Sequence, residues 1–359
     1  MCQSKADGGR RCLRGISAFS NYPHLLGFDE KTATVDIKGS ISGRPELALH
    51  AAVIAGRSGG SLSDKMVDAG KAVSEDFGSL SKGALWTQWK DIALSAYPSK
   101  ALQAVHEMGL EKHFPELAAI RGVPQSPFWH PEGSVEIHTQ QAADVAAGIA
   151  RRDGLSDSET EVAVLGAICH DFGKSVSTQI DKDGNITSQG HAETGAPLAA
   201  SFLERIGASK EVREQVPLIV RSHMSHIHTP TESIVRKLRN KLHNDGKGTT
   251  LEMWARVADA DKGGRGSASS KESIAKEWLR IEKTVAQKEQ NSGSRLLVNG
   301  PELAAAGLEP GPVYGWVIFK SKQAQLNGEF STKDEGVEWV KQFISDPKNL
   351  AFEADRRLW

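Results

Sequence analysis

The chain has 359 residues, and its 44 Lys and Arg against 45 Asp and Glu give a formal net charge of −1. At about 150 residues per domain, this length predicts two to three domains. The neutral total excludes a polybasic nucleic-acid coat and an acidic tail protein, but it is compatible with nucleic-acid binding through a local basic face. Hydrophobic residues make up 39% and charged residues 25%, as in ordinary globular proteins, which argues against global disorder.

The elements, taken in chain order, predict a mostly α-helical protein. A short β-like piece, Thr34–Ile37, indicates a hairpin in an otherwise polar N-terminal region. Helical periodicity begins at Pro45, a residue suited to a first helical turn, and continues through most of the chain. We predict four parts: an irregular N-terminal segment (1–43), a helical domain (44–125), a multi-helix bundle that holds most of the histidines (126–290) and a helical tail domain (291–359).

The three cysteines, Cys2, Cys12 and Cys169, are too few for a disulfide framework and predict a reducing, cytoplasmic location. We interpret Cys2 and Cys12 as free thiols rather than half of a zinc site, because structural zinc sites use closely spaced cysteine pairs. Cys169 is expected to pack in the core. No run approaches about 18 consecutive apolar residues and no signal peptide is visible, so we predict no membrane association.

The adjacent pair His170-Asp171 is the central chemical feature of the bundle, at the end of an apolar helical run. An imidazole nitrogen binds one metal ion, whereas a carboxylate has two oxygens and can bridge two ions. Such a dipeptide alone is more often a pair of surface polar residues. Here Gly173-Lys174 follows and places a cation where a phosphate would need one.

Further His and Asp residues lie near the ends of other helical segments, as a metal site inside a bundle requires. Such a mixed set suits one or two divalent ions such as Mn, Mg, Ni, Fe or Zn rather than Ca. The predicted metal ligands are His138, His170, Asp171, His191, His223 and Asp261. We regard His226, His228, His130, Glu132 and Asp259 as secondary candidates, with core, capping or surface roles at least as plausible.

The pattern of His138, His170-Asp171 and Asp261 resembles the HD-domain metal-dependent phosphohydrolases. His191 and His223 are similar to the two extra histidines of members that hold two metals. The local sequences resemble one branch, the bacterial multifunctional tRNA nucleotidyltransferase or CCA-adding enzyme. The segment 130–135 with His138-Thr139 resembles a motif of that branch, but Ser134 stands where Asp is expected.

The resemblance extends over about residues 44–345, with a neck-like region before the HD body and a tail-like region after it. The CCA-adding reaction needs a nucleotidyltransferase head before the neck. About 43 residues precede the neck here, too few for such a domain. We therefore expect no nucleotide-adding activity.

The resemblance implies 2′,3′-cyclic phosphodiesterase, 2′-nucleotidase and phosphatase activity, with tRNA held by neck and tail. Asp171 would bridge the two ions, which would activate a water for attack on phosphorus. Asp171 and Lys174 are thus the predicted catalytic residues, with Lys174 neutralising charge on the phosphate. The predicted substrate-binding residues are Lys174, Arg221, Arg265, Arg236 and Arg239.

The sequence supports the predicted RNA contacts less strongly than it supports the metal ligands. For Arg221 and Arg265 a plain surface role is at least as plausible. Arg236 and Arg239 belong to a basic run that adjoins the histidines and is compatible with an RNA backbone, although such runs are usually solvated helix faces. Tryptophans could stack bases, but core packing is the stronger expectation for Trp86, Trp89, Trp129, Trp254 and Trp316.

Three alternatives to an RNA-end hydrolase remain open. The first is a hydrolase of small free nucleotides, with the tRNA surface lost. The second is a non-enzymatic tRNA-binding protein with a structural metal. The third is an HD-type di-iron oxygenase, which uses a similar ligand set.

Overall fold

The structure, a computed structural model, describes residues 24–266, 273–291, 296–326 and 329–350. The predictions for Cys2 and Cys12 lie outside the described residues. Residues 267–270 and 292–294, small-residue stretches that the sequence predicts as loop and linker, also lie outside the described residues.

Helices dominate the described residues, which confirms the mostly α-helical fold class. The α-helices are α1 (Glu46–Ser58), α2 (Asp64–Val73), α3 (Lys82–Ala93), α4 (Pro98–Glu107), α5 (Pro115–Ala119), α6 (Val135–Asp153), α7 (Asp157–Cys169), α8 (Lys174–Ser177), α9 (His191–Arg205), α10 (Lys210–Ser222), α11 (Glu232–His243), α12 (Leu251–Gly263), α13 (Lys276–Asn291), α14 (Gly300–Ala305), α15 (Val313–Leu326), α16 (Lys333–Ser345) and α17 (Pro347–Leu350). Short 3₁₀ helices occupy Ser74–Ser79, Leu110–His113, His223–Ile227 and Asn244–Gly246.

The strands are short. They are β1 (Leu26–Asp29), β2 (Thr34–Ile37), β3 (Ser61–Leu62), β4 (Gln179–Ile180) and β5 (Ile186–Thr187). β1 and β2 form an antiparallel hairpin with Leu26 opposite Ile37, as predicted, and β3 adds in parallel to β2. β4 and β5 form a second antiparallel pair.

The chain divides into two compact units. One comprises the described residues up to Ile227 together with Leu242–Ala275, and the other comprises His228–Lys241 and the described residues from Lys276 onward. The second unit has an apolar core of its own, with buried Val298, Leu303, Val317 and Val340. The four-part division drawn from the sequence stays a prediction.

Helix α7 is the centre of the first unit. From Val162 to Cys169 every residue is buried, and α7 packs against α6, α10 and α12. A capping box at Ser156 and Glu159 fixes where α7 begins, because each side chain bonds the other residue's backbone N–H. Its C-terminal end therefore points His170 and Asp171 into the middle of the bundle. As predicted, Cys169 is a buried thiol in this core.

One glycine sets the close approach on which this region depends. A Cβ atom at Gly173 would lie 2.0 Å from the carbonyl oxygen of His191. Only glycine therefore lets the turn after α7 rest against the start of α9. Within the described residues, no helix combines the length and apolar character needed to cross a bilayer.

Candidate metal centre

The six predicted metal ligands converge in the first unit. All are buried, with side chains near helix ends: His138 in the first turn of α6, His170 and Asp171 at the end of α7, His191 at the start of α9, His223 at the end of α10 and Asp261 near the end of α12. Helix ends leave backbone carbonyls without helical partners, and such carbonyls are available to position side chains.

Three of the histidines use the same local geometry. The Nδ1 atoms of His170, His191 and His223 lie 2.7, 2.7 and 2.6 Å from the carbonyl oxygen three positions earlier in the chain. A carbonyl oxygen only accepts hydrogen bonds, so each Nδ1 carries the proton and donates it. Each Nε2 then keeps its lone pair, which is the form that binds a metal ion.

The Nε2 atoms meet in two pairs. Those of His138 and His170 are 3.3 Å apart, and we call these residues the first pair. Those of His191 and His223 are 3.0 Å apart and form the second pair. Lone pairs that face each other at this distance repel, unless a proton or a cation lies between them.

Asp171 lies between the two pairs and presents one oxygen to each. Its Oδ2 is 3.2 Å from Nε2 of His170 and 3.9 Å from that of His138. Its Oδ1 is 3.4 Å from Nε2 of His191 and 3.9 Å from that of His223. In the described residues, Oδ2 is buried and makes no aligned hydrogen bond, although Lys174 Nζ lies 2.8 Å from it, and a further lone pair stays available for a cation. Burial raises the pKa of Asp171, but the neighbouring His170 and Lys174 outweigh this and hold the pKa well below its usual range.

The first pair is surrounded by further carboxylates. Nε2 of His138 lies 3.1 Å from Asp261 Oδ1, and its Nδ1 lies 2.7 Å from Glu132 Oε1. Burial lowers the pKa of His138, but hydrogen bonds to Asp261 and Glu132 outweigh it and raise the pKa to about 9. Burial also raises the pKa of Asp261, yet the hydrogen bond from His138 and the neighbouring His170 hold that pKa well below its usual range.

The second pair has the opposite electrostatics. Burial is the main cause that lowers the pKa of His223 to about 3, and the neighbouring His170 adds to it. Burial also lowers the pKa of His191, against the attraction of Asp171. Both side chains are therefore neutral at neutral pH, so no proton bridges their Nε2 atoms. A divalent ion with nitrogen and carboxylate ligands fits this gap.

Lys174 is held against the cluster. Its Nζ lies 2.8 Å from Asp171 Oδ2, donates to Gln125 Oε1 at 2.7 Å and lies 3.5 Å from His130 Nε2. Burial and the charge of Lys174 lower the pKa of His130 to about 4. Its Nδ1 lies 2.9 Å from Glu132 Oε1.

Sequence reasoning missed Gln125 and undervalued Glu132. Glu132 Oε1 contacts both His130 and His138, and burial raises its pKa, but hydrogen bonds from His138 and His130 lower it to about 2. Neither a helix nor a strand brings residues six positions apart into side-chain contact, so the sequence pattern does not reveal this contact. Only the folded loop before α6 brings the two together.

The arginines predicted to bind substrate have different surroundings. Arg265 reaches the cluster, with one guanidinium nitrogen 3.6 Å from Asp261 Oδ1. Arg221 is exposed on α10. Arg236 and Arg239 belong to the second unit, where Arg236 is buried and Arg239 pairs with Glu282 at 3.3 Å.

The remaining secondary candidates, His226, His228 and Asp259, have local surroundings. His226 Nδ1 donates to the carbonyl of His223, and His228 is exposed. Asp259 accepts a hydrogen bond from the backbone of Ile274 at 3.0 Å. Core packing is confirmed for Trp89 and Trp254, but it is wrong for Trp129, which is 61% exposed.

The protein-family model described as HD domain matches residues 135–261. This range begins at the start of α6 and ends at Asp261. Residues 135–261 are an HD domain. This confirms the resemblance drawn from the six ligand positions, since the match contains all of them. The buried His and Asp clusters of this HD domain are compatible with divalent metal binding: ligand atoms of His138, His170 and Asp171, and of Asp171, His191 and His223, lie within 4.8 Å of one another in each group.

Proteins named multifunctional CCA protein resemble a larger part of the chain. The protein of Xanthomonas campestris pv. campestris (strain B100) is 26% identical over 268 residues, 74% of this chain and 59% of the relative. That of Halorhodospira halophila is 30% identical over 199 residues, 54% of this chain and 45% of the relative. The chain thus spans about three fifths of the length of these Xanthomonas relatives. A solved CCA-adding enzyme with ATP aligns with 88% of this chain and 64% of its own, at 14% identity and a TM-score of 0.46.

Proposed function

We propose that the chain is a metal-dependent phosphohydrolase that acts on 2′,3′-cyclic phosphate or phosphomonoester groups, at the 3′ ends of RNA and in particular tRNA. One observation carries this proposal. The two oxygens of Asp171 face separate pairs of histidine nitrogens, and a carboxylate so placed suits two divalent ions close enough to act on one phosphate.

The residues divide the work as follows. His138, His170 and Asp261 would hold one ion, His191 and His223 the other, and Asp171 both. Bound divalent ions would supply Lewis-acid polarisation of a phosphoryl oxygen and a water of lowered pKa. Lys174 keeps Asp171 ionised and presents its ammonium group at the cluster, where it would offset negative charge that develops on the phosphate oxygens.

Hydrolysis of a 2′,3′-cyclic phosphate adds a water oxygen to phosphorus, breaks one P–O bond to the ribose and transfers a proton to the leaving oxygen. The cluster is buried, and hydrogen bonds from Nδ1 to backbone carbonyls fix the rings of His170, His191 and His223. Their Nε2 atoms therefore need little rearrangement to act. RNA as substrate is supported by the similarity to multifunctional CCA proteins along 74% of this chain.

A second candidate, a hydrolase of small free nucleotides, is favoured by the state of the basic run. Arg236 is buried and Arg239 is paired with Glu282, so these two side chains offer an RNA backbone less free charge than the sequence suggests. The two candidates share the same metal centre and differ in what surrounds the phosphate.

The test offers metal-depleted protein, reloaded with Mn²⁺, Mg²⁺ or Ni²⁺, both 2′,3′-cyclic AMP and a tRNA that ends in a cyclic phosphate. Turnover of the tRNA alone supports the proposal, and equal turnover supports the second candidate. No turnover in any metal contradicts both, and retention of tRNA on a gel would then indicate a binding protein. The absence of nucleotide addition stays a prediction, tested by offering CTP and ATP with a tRNA that lacks its CCA end.

A further inference from the structure

The loop before α6 carries two large aromatic side chains that the fold does not cover. Phe128 is 80% exposed and Trp129 is 61% exposed, and their rings meet edge to face with centroids 4.7 Å apart. We call them the aromatic pair. Large aromatic rings are normally buried, since covering them contributes strongly to stability, and adjacent exposed rings are typical of a binding surface.

This loop is braced rather than loose. The backbone N–H of Val135 donates to the carbonyl of Val123 and closes the loop at its base, at 3.0 Å. The N–H groups of Trp129 and His130 both donate to the carbonyl of Ser126, at 3.1 and 2.9 Å. The aromatic pair is therefore presented by a defined turn, and little conformational freedom would be lost when a ligand packs on it.

The same loop is tied to the metal centre. Gln125 donates to the carbonyl of Gly133 at 3.2 Å and accepts from Lys174 at 2.7 Å. His130, the residue directly after the aromatic pair, lies 3.5 Å from Lys174 Nζ. Consecutive Cα atoms are about 3.8 Å apart, so the backbone of Trp129 lies directly beside that of a residue that contacts Lys174.

Exposed apolar side chains are concentrated around this centre in the described part of the chain. Four of the nine large hydrophobic residues exposed there lie within two positions of His130, His138 or Lys174: Phe128, Trp129, Ile137 and Val176. Scattered exposed hydrophobics need no explanation, but this concentration beside a buried cationic and metal-binding cluster indicates a ligand with both an anionic and a flat apolar part.

We propose that the aromatic pair is a stacking platform for the nucleobase attached to the phosphate that the metal centre holds. This rests on the proposed function, since the phosphate at Lys174 and the paired histidines fixes where the base lies. Every base has a π-face, so stacking tolerates any base identity and suits a terminal nucleotide, whether free or at an RNA end. Trp129 supplies the larger face and Phe128 supports it from the side.

The experiment measures binding of two probes to full-length, Mn²⁺-loaded protein by isothermal titration calorimetry. One probe is an adenosine with a 2′-methylenephosphonate, whose C–P bond resists hydrolysis, and the other is methylphosphonate, which has no base. We expect Trp129→Ala to weaken binding of the adenosine probe about tenfold and to leave binding of methylphosphonate unchanged. Trp129→Phe should restore most of the affinity, because it retains an aromatic face.

The matched control is Phe319→Ala, which removes an exposed aromatic ring of the second unit and should leave binding of both probes unchanged. The proposal is overturned if Trp129→Ala binds the adenosine probe as the wild type does, if it loses both probes equally, or if the wild type prefers neither probe. Because neither probe is hydrolysed, the base preference can hold even where the hydrolase proposal fails.

A kinetic arm separates the two sources of the base. If hydrolysis is observed, KM is compared for 2′,3′-cyclic AMP and for a short RNA that ends in a cyclic phosphate. A rise in KM for both with Trp129→Ala places the terminal base on the platform. A rise for the RNA alone would place an upstream base on the platform and overturn the proposal, and no rise for either would overturn it as well.

Discussion

The two histidine pairs of the HD domain look alike in geometry but differ in charge. The first pair is flanked by Asp261 and Glu132, which raise the pKa of His138 to about 9. Among the described residues, the ligand group of the second pair contains one carboxylate, Asp171, and burial lowers the pKa of His223 to about 3. In metal-free protein the first pair therefore holds a proton at the place where an ion would bind, whereas the second pair holds none. Although the two pairs share the carboxylate of Asp171, they therefore differ in protonation.

The largest effect is expected from removing the shared carboxylate. Asp171→Ala takes the anionic ligand from both pairs, so both ions should be lost and any hydrolysis should fall by at least about a thousandfold. Metal content after dialysis, measured by mass spectrometry, and turnover of the cyclic phosphate check this. Asp183→Ala, which changes an exposed carboxylate, is the control. Persistent activity in Asp171→Ala would rule out the metal assignment.

The pH dependence of the metal-free protein should separate the pairs. The raised pKa of His138 contributes stability that is complete below about 6.5 and is lost as the pH rises through about 9, an effect of about 3 kcal/mol. The lowered pKa of His223 acts in the opposite sense, since the unfolded chain takes up the proton first and stability is lost as the pH falls below about 6.5.

Urea unfolding of chelator-treated protein between pH 5 and pH 9.5 measures how stability changes with pH. The loss on the alkaline side is the alkaline limb, and the loss on the acid side is the acid limb. His138→Gln should flatten the alkaline limb and leave the acid limb, and His223→Gln should do the reverse. If both variants change the same limb, the contrast between the pairs is wrong.

Glu132→Gln is expected to weaken metal binding at the first pair and to leave metal binding at the second pair unchanged. The carboxylate holds His138 through Nδ1, and loss of such a partner typically lowers metal affinity by about 10- to 100-fold. When the chelator concentration is raised stepwise, one of the two bound ions should be released at a lower concentration than the other. Gln140→Glu, a change on the same helix that adds rather than removes a charge, controls for general electrostatics. Equal weakening of both ions would show that the pairs are not independent.

The smallest effect is expected for Arg265→Ala. Arg265 is partly exposed and lies 3.6 Å from Asp261, so it contributes a screened charge beside the first pair. Substrate KM should rise by about two- to fivefold while metal content stays unchanged. Loss of metal from this variant would instead indicate that Arg265 positions Asp261.

Much of this could be predicted from the sequence. The helical period and capping residues identify the bundle, and the structure brings together all six His and Asp residues that the sequence selects as ligands, with His130 beside them. Their role as ligands stays a proposal. What the sequence could not supply is how non-periodic segments fold: the loop of residues 124–134 places Glu132 on His138, Gln125 on Lys174 and Trp129 in solvent. Likewise, the division of the Asp171 oxygens between two pairs depends on the angles at which helices cross.

The metal ligands come from the ends of several helices, so metal binding would affect the stability of the chain in the cell. His138 and Asp261 are 123 positions apart, and the four remaining ligands come from the ends of three helices between them, α7, α9 and α10. No local fragment can hold all of them, so a divalent ion would bind the assembled bundle and not the open chain. Free metal at a hundred times its dissociation constant would then shift the folding equilibrium by about 2.7 kcal/mol. Metal supply would thus govern how much of this protein survives proteolysis, as well as how fast it works.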